Sequence, residues 1–189
     1  MLVLGAAGGV GYAAVRLARR IGCKVWGTCS PKNFEVLRLA GVTPIDYSGP
    51  LGLERESLDM VLDAVGGDDY YQACLPLLRR GGLFVTAVGP VRHGGSTLVT
   101  YTQIFKTAGV LIPRLAANLW ASRPYRIFLA FDAADLRHPE LEAHATSGEL
   151  VRIAPTEYSI ETLSAAHVQC ESQHSDGKMV VRIVPDPTP

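Results

Sequence analysis

No two cysteines in this chain are spaced C-x-x-C, no two histidines stand four residues apart, and no tyrosine has a lysine four residues later. The first two absences argue against a zinc ribbon and a helical zinc site. The third argues against the short-chain dehydrogenases, which need a lysine one helical turn past the tyrosine to lower its pKa. The four cysteines, at 23, 29, 74 and 170, read as small packing thiols, and the five histidines as surface or packing residues. Lysine and arginine number 18, aspartate and glutamate 18. That balance gives no support for a nucleic-acid or anionic-membrane surface. No apolar run approaches the roughly 20 residues that span a bilayer. No signal or transit segment is expected before the first strand. The closing Pro185-Asp186-Pro187-Thr188-Pro189 is expected to fray.

Of the 189 residues, 48% are hydrophobic, enough for one well-buried core or a domain with an appendage. Apolar runs alternate with helical patterns, which points to β-α-β units and an α/β fold with a Rossmann-type, doubly wound parallel sheet. The expected strands are Leu2 to Leu4, Lys24 to Thr28, a short one at Pro44 to Asp46, Asp59 to Val65, Leu83 to Gly89 and Arg126 to Phe131. A helix is expected from Val10 to Ile21, burying Val10, Ala14, Leu17, Ala18 and Ile21. Ser30 and Pro31 open a second helix as N-cap and first residue, with Phe34, Leu37 and Ala40 inward. Asp69 begins a third, through Leu78, with Gly81 and Gly82 as its stop. Leu98 to Trp120 is apolar and fits no one pattern. Further on, a helix near Pro139 to Ser147, a strand at Leu150 to Ala154, a helix near Ile160 to Glu171 and a last strand from Met179 to Val184 are expected.

The first turn reads Gly5-Ala6-Ala7-Gly8-Gly9-Val10-Gly11 and lies between a strand and a helix. That is the context of the dinucleotide fingerprint. A diphosphate must come within hydrogen-bond distance of the N–H groups at a helix start. A side chain at Gly8 or Gly9 would stand in its way. Gly11 lets the helix close on the strand. An NAD site places a carboxylate about 20 residues past the glycines for the ribose hydroxyls. Here Thr28-Cys29-Ser30 occupies that place, with Lys32 close by. A serine and a lysine suit a 2′-phosphate, so NADP(H) is the expected cofactor. Ser30 can also serve only as a helix cap. Tyr47, after the third strand, is within plausible reach of the same phosphate. The ends of the fourth and fifth strands, Asp63, Val65, Gly66, Val88 and Gly89, belong to the crevice where such sheets bind ligands. Asp63 has a second reading, as a buried carboxylate satisfied by loop N–H groups. A methyltransferase would favour an acid where Ser30 stands.

Together these residues resemble the medium-chain dehydrogenase/reductase superfamily, in its zinc-free quinone-oxidoreductase branch. Its A-x-G-x-x-G matches Ala6, Gly8 and Gly11. "PIDY" at 44–47, "VLDAVGG" at 61–67, "RRGGLFVTAVG" at 79–89 and "GKMVVRIV" at 177–184 are similar too. "GTCS" and "YRIFLAF" at 125–131 look most like the reticulon-interacting mitochondrial NADPH oxidoreductases. The resemblance implies NADPH-dependent hydride transfer to a quinone or an activated alkene or ketone, without zinc, and a role for Tyr47 at the 2′-phosphate. It implies a dinucleotide-binding domain over 1–135 and a segment at 136–184 that would meet an N-terminal catalytic domain absent from this sequence. Pairing of two copies through the sixth strand and a mitochondrial location are further implications, with the cytoplasm as the alternative place. Many relatives carry lysine where Phe34 stands. An NADP(H)-binding chain without turnover is the rival functional reading.

Overall fold

The computed structural model describes residues 1–91, 100–128, 156–171 and 179–183. Six strands form one sheet: β1 (Leu2–Leu4), β2 (Trp26–Cys29), β3 (Thr43–Asp46), β4 (Leu58–Asp63), β5 (Leu78–Thr86) and β6 (Tyr125–Ile127). They stand in the order β3-β2-β1-β4-β5-β6, and every pairing is parallel. The order reverses direction between β1 and β4, which makes the switch point of a doubly wound sheet. The fold expected from the alternating pattern is the fold observed.

Helices cover both faces. On β1, Val3 joins a cluster with Tyr12, Val15 and Ala18 of α1 (Gly9–Arg20) and Leu37 of α2 (Phe34–Leu39). Leu2 and Leu4 point the other way, into a cluster with Cys74 of α3 (Asp68–Cys74), Phe84 and Tyr125. Alternate residues of one strand thus feed two cores. A second sheet pairs β7 (Thr156–Ser159) with β8 (Met179–Arg182) in parallel, and α5 (Leu163–Glu171) lies between them in sequence. The expected helix near Pro139 to Ser147 and strand at Leu150 to Ala154 lie outside the described residues.

Three local expectations are corrected. The buried stripe of α1 is Gly11, Tyr12, Val15 and Ala18, whereas Val10 and Ile21 are 61% and 79% exposed. Close contact at Gly11 sets the helix phase, so the stripe runs one position later than apolarity alone suggests. Gly81 and Gly82 do not stop a helix. α3 ends at Cys74, a 3-10 turn over Leu75–Leu77 follows, and the glycines lie within β5. The unassigned apolar stretch contains α4 (Tyr101–Ala117), opened by a capping box in which Thr100 and Gln103 bond each other's backbone N–H.

Beneath β5 and β6, the rings of Tyr71, Phe84 and Tyr125 pack with centroids 5.1 to 5.7 Å apart. Arg114 of α4 lies 4.0 Å above the Tyr71 ring and pairs with Asp68. Burial pushes the nearby Cys74 thiol from its ordinary 9.0 up to about 12, with the Asp63 charge adding to the effect. Burial also raises Tyr71 and Tyr125. The unfolded chain ionises these groups first as pH climbs. Their contribution to stability is therefore full below the ordinary thiol value and is lost on the way to the raised one. Cys74→Ala is expected to lose less stability than the native chain between about pH 9 and pH 12 in urea titrations. Parallel losses would contradict this.

Candidate functional site

Parallel pairing brings the carboxyl ends of all six strands to one edge of the sheet. Leu4, Asp63 and Thr86 stand in one row across β1, β4 and β5, and Cys29 pairs with Asp46 across β2 and β3. Of the residues singled out by sequence, Asp63 ends β4 and the others follow strand ends. Ala6 to Gly11 follow β1, Ser30 and Lys32 follow β2, and Tyr47 follows β3. Val65 and Gly66 follow β4, and Val88 and Gly89 follow β5.

At the centre is the start of α1. Gly8 is its N-cap, no side chain caps it, and its first turn holds no acid. The first intrahelical bond runs from Tyr12 N–H to the Gly8 carbonyl, at 2.8 Å. The N–H groups of Gly9, Val10 and Gly11 therefore have no acceptor within the helix. Open space lies where a Gly9 side chain would be. A Cβ on Gly11 would overlap the Gly5 carbonyl and come 2.9 Å from Ala6 Cα, so only glycine allows this approach. Thr28 ties the turn to β2, accepting from Gly5 N–H at its hydroxyl (3.0 Å) and from Ala6 N–H at its carbonyl (2.9 Å).

The neighbouring turns are braced from within. Asp63 is 1% exposed. Its Oδ1 accepts from the N–H groups of Val65 (2.9 Å) and Gly66 (2.8 Å), and its Oδ2 from the Thr86 hydroxyl (2.9 Å). Thr86 Oγ1 accepts in turn from Val88 N–H (3.2 Å) and Gly89 N–H (2.9 Å). Of the two readings open for Asp63, the side chain follows the second. It shapes the edge from behind. Gly66 has φ +82, and a Cβ there would sit 2.6 Å from Val88 Cγ1, so the two turns abut closely.

Toward β3, Ser30 caps a 3-10 turn over Pro31–Asn33, as expected, though its side chain caps no backbone N–H. Lys32 is exposed and Tyr47 half-exposed. Asp46 Oδ1 accepts from the N–H and hydroxyl of Ser48, at 2.9 and 2.8 Å, which braces the turn carrying Tyr47. Those bonds hold the Asp46 carboxyl below its usual range. Phe34 is partly buried against the α1 core, an apolar contact at the position where many relatives carry lysine. The sequence reading missed Thr28, Thr86 and Asn33. The signal available was a hydroxyl or amide at or just past a strand end, where turns need acceptors.

Among the described residues, no three of His, Cys, Asp and Glu are grouped to hold a metal ion, and the buried Cys29 and Cys74 lie in separate clusters. No described helix is long and apolar enough to cross a membrane.

A parallel sheet in this order, with a bare helix start at its switch point, defines a domain of the Rossmann class. Comparison with known proteins narrows the class. The chain belongs to the zinc-binding dehydrogenase family, whose model matches residues 42–181. It is 29% identical to the mouse protein named NAD(P)H oxidoreductase RTN4IP1, mitochondrial, over 97% of this chain and 48% of that one. The zebrafish (Danio rerio) protein of the same name is 28% identical, over 98% and 49%. The chain spans about half the length of these curated relatives. Its fold matches the quinone oxidoreductase of Coxiella burnetii with a TM-score of 0.70 at 23% identity, covering 97% of this chain and 52% of the other. The yhdH oxidoreductase of Salmonella enterica, solved with NADP, matches at 0.65 and 20%, covering 97% and 54%.

Proposed function

We propose that the chain binds NADP(H) at the start of α1 and serves as the cofactor-holding part of a zinc-independent oxidoreductase of quinone-reductase type. The observation that carries this reading is the uncapped, acid-free start of α1 beside the glycine turn. The N–H groups of Gly9, Val10 and Gly11, with the helix dipole, would hold the diphosphate. Ala6, Ala7 and Gly8 would leave it room. Ser30, Lys32 and Tyr47 would take the 2′-phosphate. The backbones of Val65, Gly66, Val88 and Gly89, braced by Asp63 and Thr86, would border the ribose and nicotinamide. When bound, the cofactor supplies hydride from the nicotinamide C4 to a quinone or activated alkene or ketone. The chain's own part is to orient and to exclude water, and we assign no acid or base.

In this reading 1–135 hold the cofactor and 136–184 face a further domain. Edge strand β6 would pair two copies, and the mitochondrial relatives favour that compartment. The second reading is a chain that binds NADP(H) without turning over substrate. Fluorescence titration with NADPH, followed by NADPH oxidation with phenanthrenequinone, tests both. Binding with turnover supports the first reading and binding alone the second. No binding rejects both.

Cofactor choice has its own test. Ser30→Asp is expected to lower the preference for NADPH over NADH by about tenfold or more, since a carboxylate repels the 2′-phosphate and suits ribose hydroxyls. An unchanged ratio would remove Ser30 from the phosphate site.

A further inference from the structure

Resting on the NADP(H) reading, we propose that Asn33 is a specificity-determining residue, which holds the Ser30 hydroxyl as a hydrogen-bond donor toward the cofactor's 2′-phosphate. Asn33 is 8% exposed and ends the 3-10 turn that Ser30 caps. Its backbone N–H donates to the Ser30 carbonyl at 2.9 Å, which fixes the two residues face to face. Its side-chain Nδ2 donates to Ser30 Oγ at 3.2 Å. An amide NH2 can only donate, whereas a hydroxyl both donates and accepts. Once the oxygen of Ser30 accepts from Asn33, its hydrogen turns away from the amide. A phosphate dianion only accepts, so a hydroxyl presented as a donor makes with it a charge-assisted bond. The ribose hydroxyl of NAD(H) is neutral and gains less from the same arrangement. Lys32 supplies charge beside this donor but no direction. Asn33 supplies the direction without touching the ligand.

Binding of NADPH, NADH and adenosine 2′,5′-bisphosphate by the full chain tests this. Asn33→Asp reverses the polarity, because its carboxylate accepts the Ser30 hydrogen. The expected result is a loss of about tenfold or more in affinity for NADPH and the bisphosphate, with NADH within about twofold. Asn33→Ala leaves the hydroxyl free to rotate and is expected to narrow the NADPH preference by about threefold. Melting curves report whether each variant folds, and Asn33→Ala carries the test if the aspartate variant does not. An unchanged NADPH-to-NADH ratio in Asn33→Ala, or an equal fall for both cofactors, overturns the inference and leaves the proposed cofactor site standing. A native chain that binds neither NADPH nor the bisphosphate overturns the site itself, and this inference with it.

Discussion

Gly8→Asp is expected to abolish NADPH binding while leaving the chain as stable as before, or slightly more so. Gly8 is the N-cap of α1, with φ −77 and ψ 171, a conformation open to any residue. A Cβ there would meet only the Gly5 carbonyl oxygen, at 3.4 Å, a tight but not overlapping distance. Aspartate is a preferred N-cap, and its charge complements the helix dipole. Relative to glycine the cap is worth a few tenths of a kcal/mol, so the melting temperature should rise by about 1 °C or hold. The same carboxylate would occupy the N–H groups assigned to the diphosphate in the proposed site, and would repel it. At an effective dielectric constant near 20, a like charge about 4 Å away costs on the order of 4 kcal/mol, well over a hundredfold in affinity. Calorimetric titration with NADPH, paired with a melting curve, reads both effects. Native-like affinity would remove the diphosphate from this corner. Lost affinity with a collapsed melting curve would mean that the variant had damaged the fold instead.

The divergence of stability from binding follows from how this site is written in the sequence. Its centre is made of missing side chains, and missing side chains leave a clear trace in a sequence. Gly8, Gly9 and Gly11 stand between an apolar run and a helical pattern, so turn, helix start and the parallel class of the sheet were legible together. What was not legible depends on partners far apart in the chain. Gly81 and Gly82 read as a helix stop because glycine ends helices more often than it interrupts strands. In the structure they belong to an irregularity of β5, where Leu58 pairs with Leu78 but Met60 with Leu83, and Gly81 N–H reaches the Ser122 carbonyl at 2.6 Å. Only knowledge of β4 and of the loop after α4 gives that register. The phase of α1 was misjudged for a similar reason. Gly11 faces inward because the Gly5 carbonyl lies against it, a contact that no apolarity scale registers. The capping box of α4, Thr100 with Gln103, was by contrast a local signal that was there to be read. Asp63 stood between the two kinds. Its place at a strand end was legible, but the direction of its carboxylate required Thr86, 23 residues away.

That carboxylate is the point where fold and site depend on each other most. Asp63→Ala is expected to cost about 3–5 kcal/mol, because it removes the acceptor of the Val65 N–H and the Thr86 hydroxyl and one acceptor of the Gly66 N–H, all at a buried place. Asparagine is not a silent replacement. Thr86 Oγ1 already accepts from Val88 and Gly89, so its hydrogen must point at residue 63. An asparagine with its NH2 toward Thr86 sets donor against donor. Flipped, it sets the NH2 against the N–H groups of Val65 and Gly66. Either way one side of the brace faces a donor, and Asp63→Asn is expected to cost about 2 kcal/mol. Thr86→Val breaks the same relay from the other end, so its effect and that of Asp63→Ala should add to less than their sum. Urea midpoints of the two single variants and the double variant measure this. An Asp63→Ala chain within about 1 kcal/mol of the native one would show that the relay contributes little. If the relay does hold the Val65–Gly66 and Val88–Gly89 turns in place, the folded fraction of each variant should also bind NADPH more weakly than Gly66 and Gly89, as backbone alone, would suggest. The site's far wall would then owe its shape to a carboxylate that never meets the ligand.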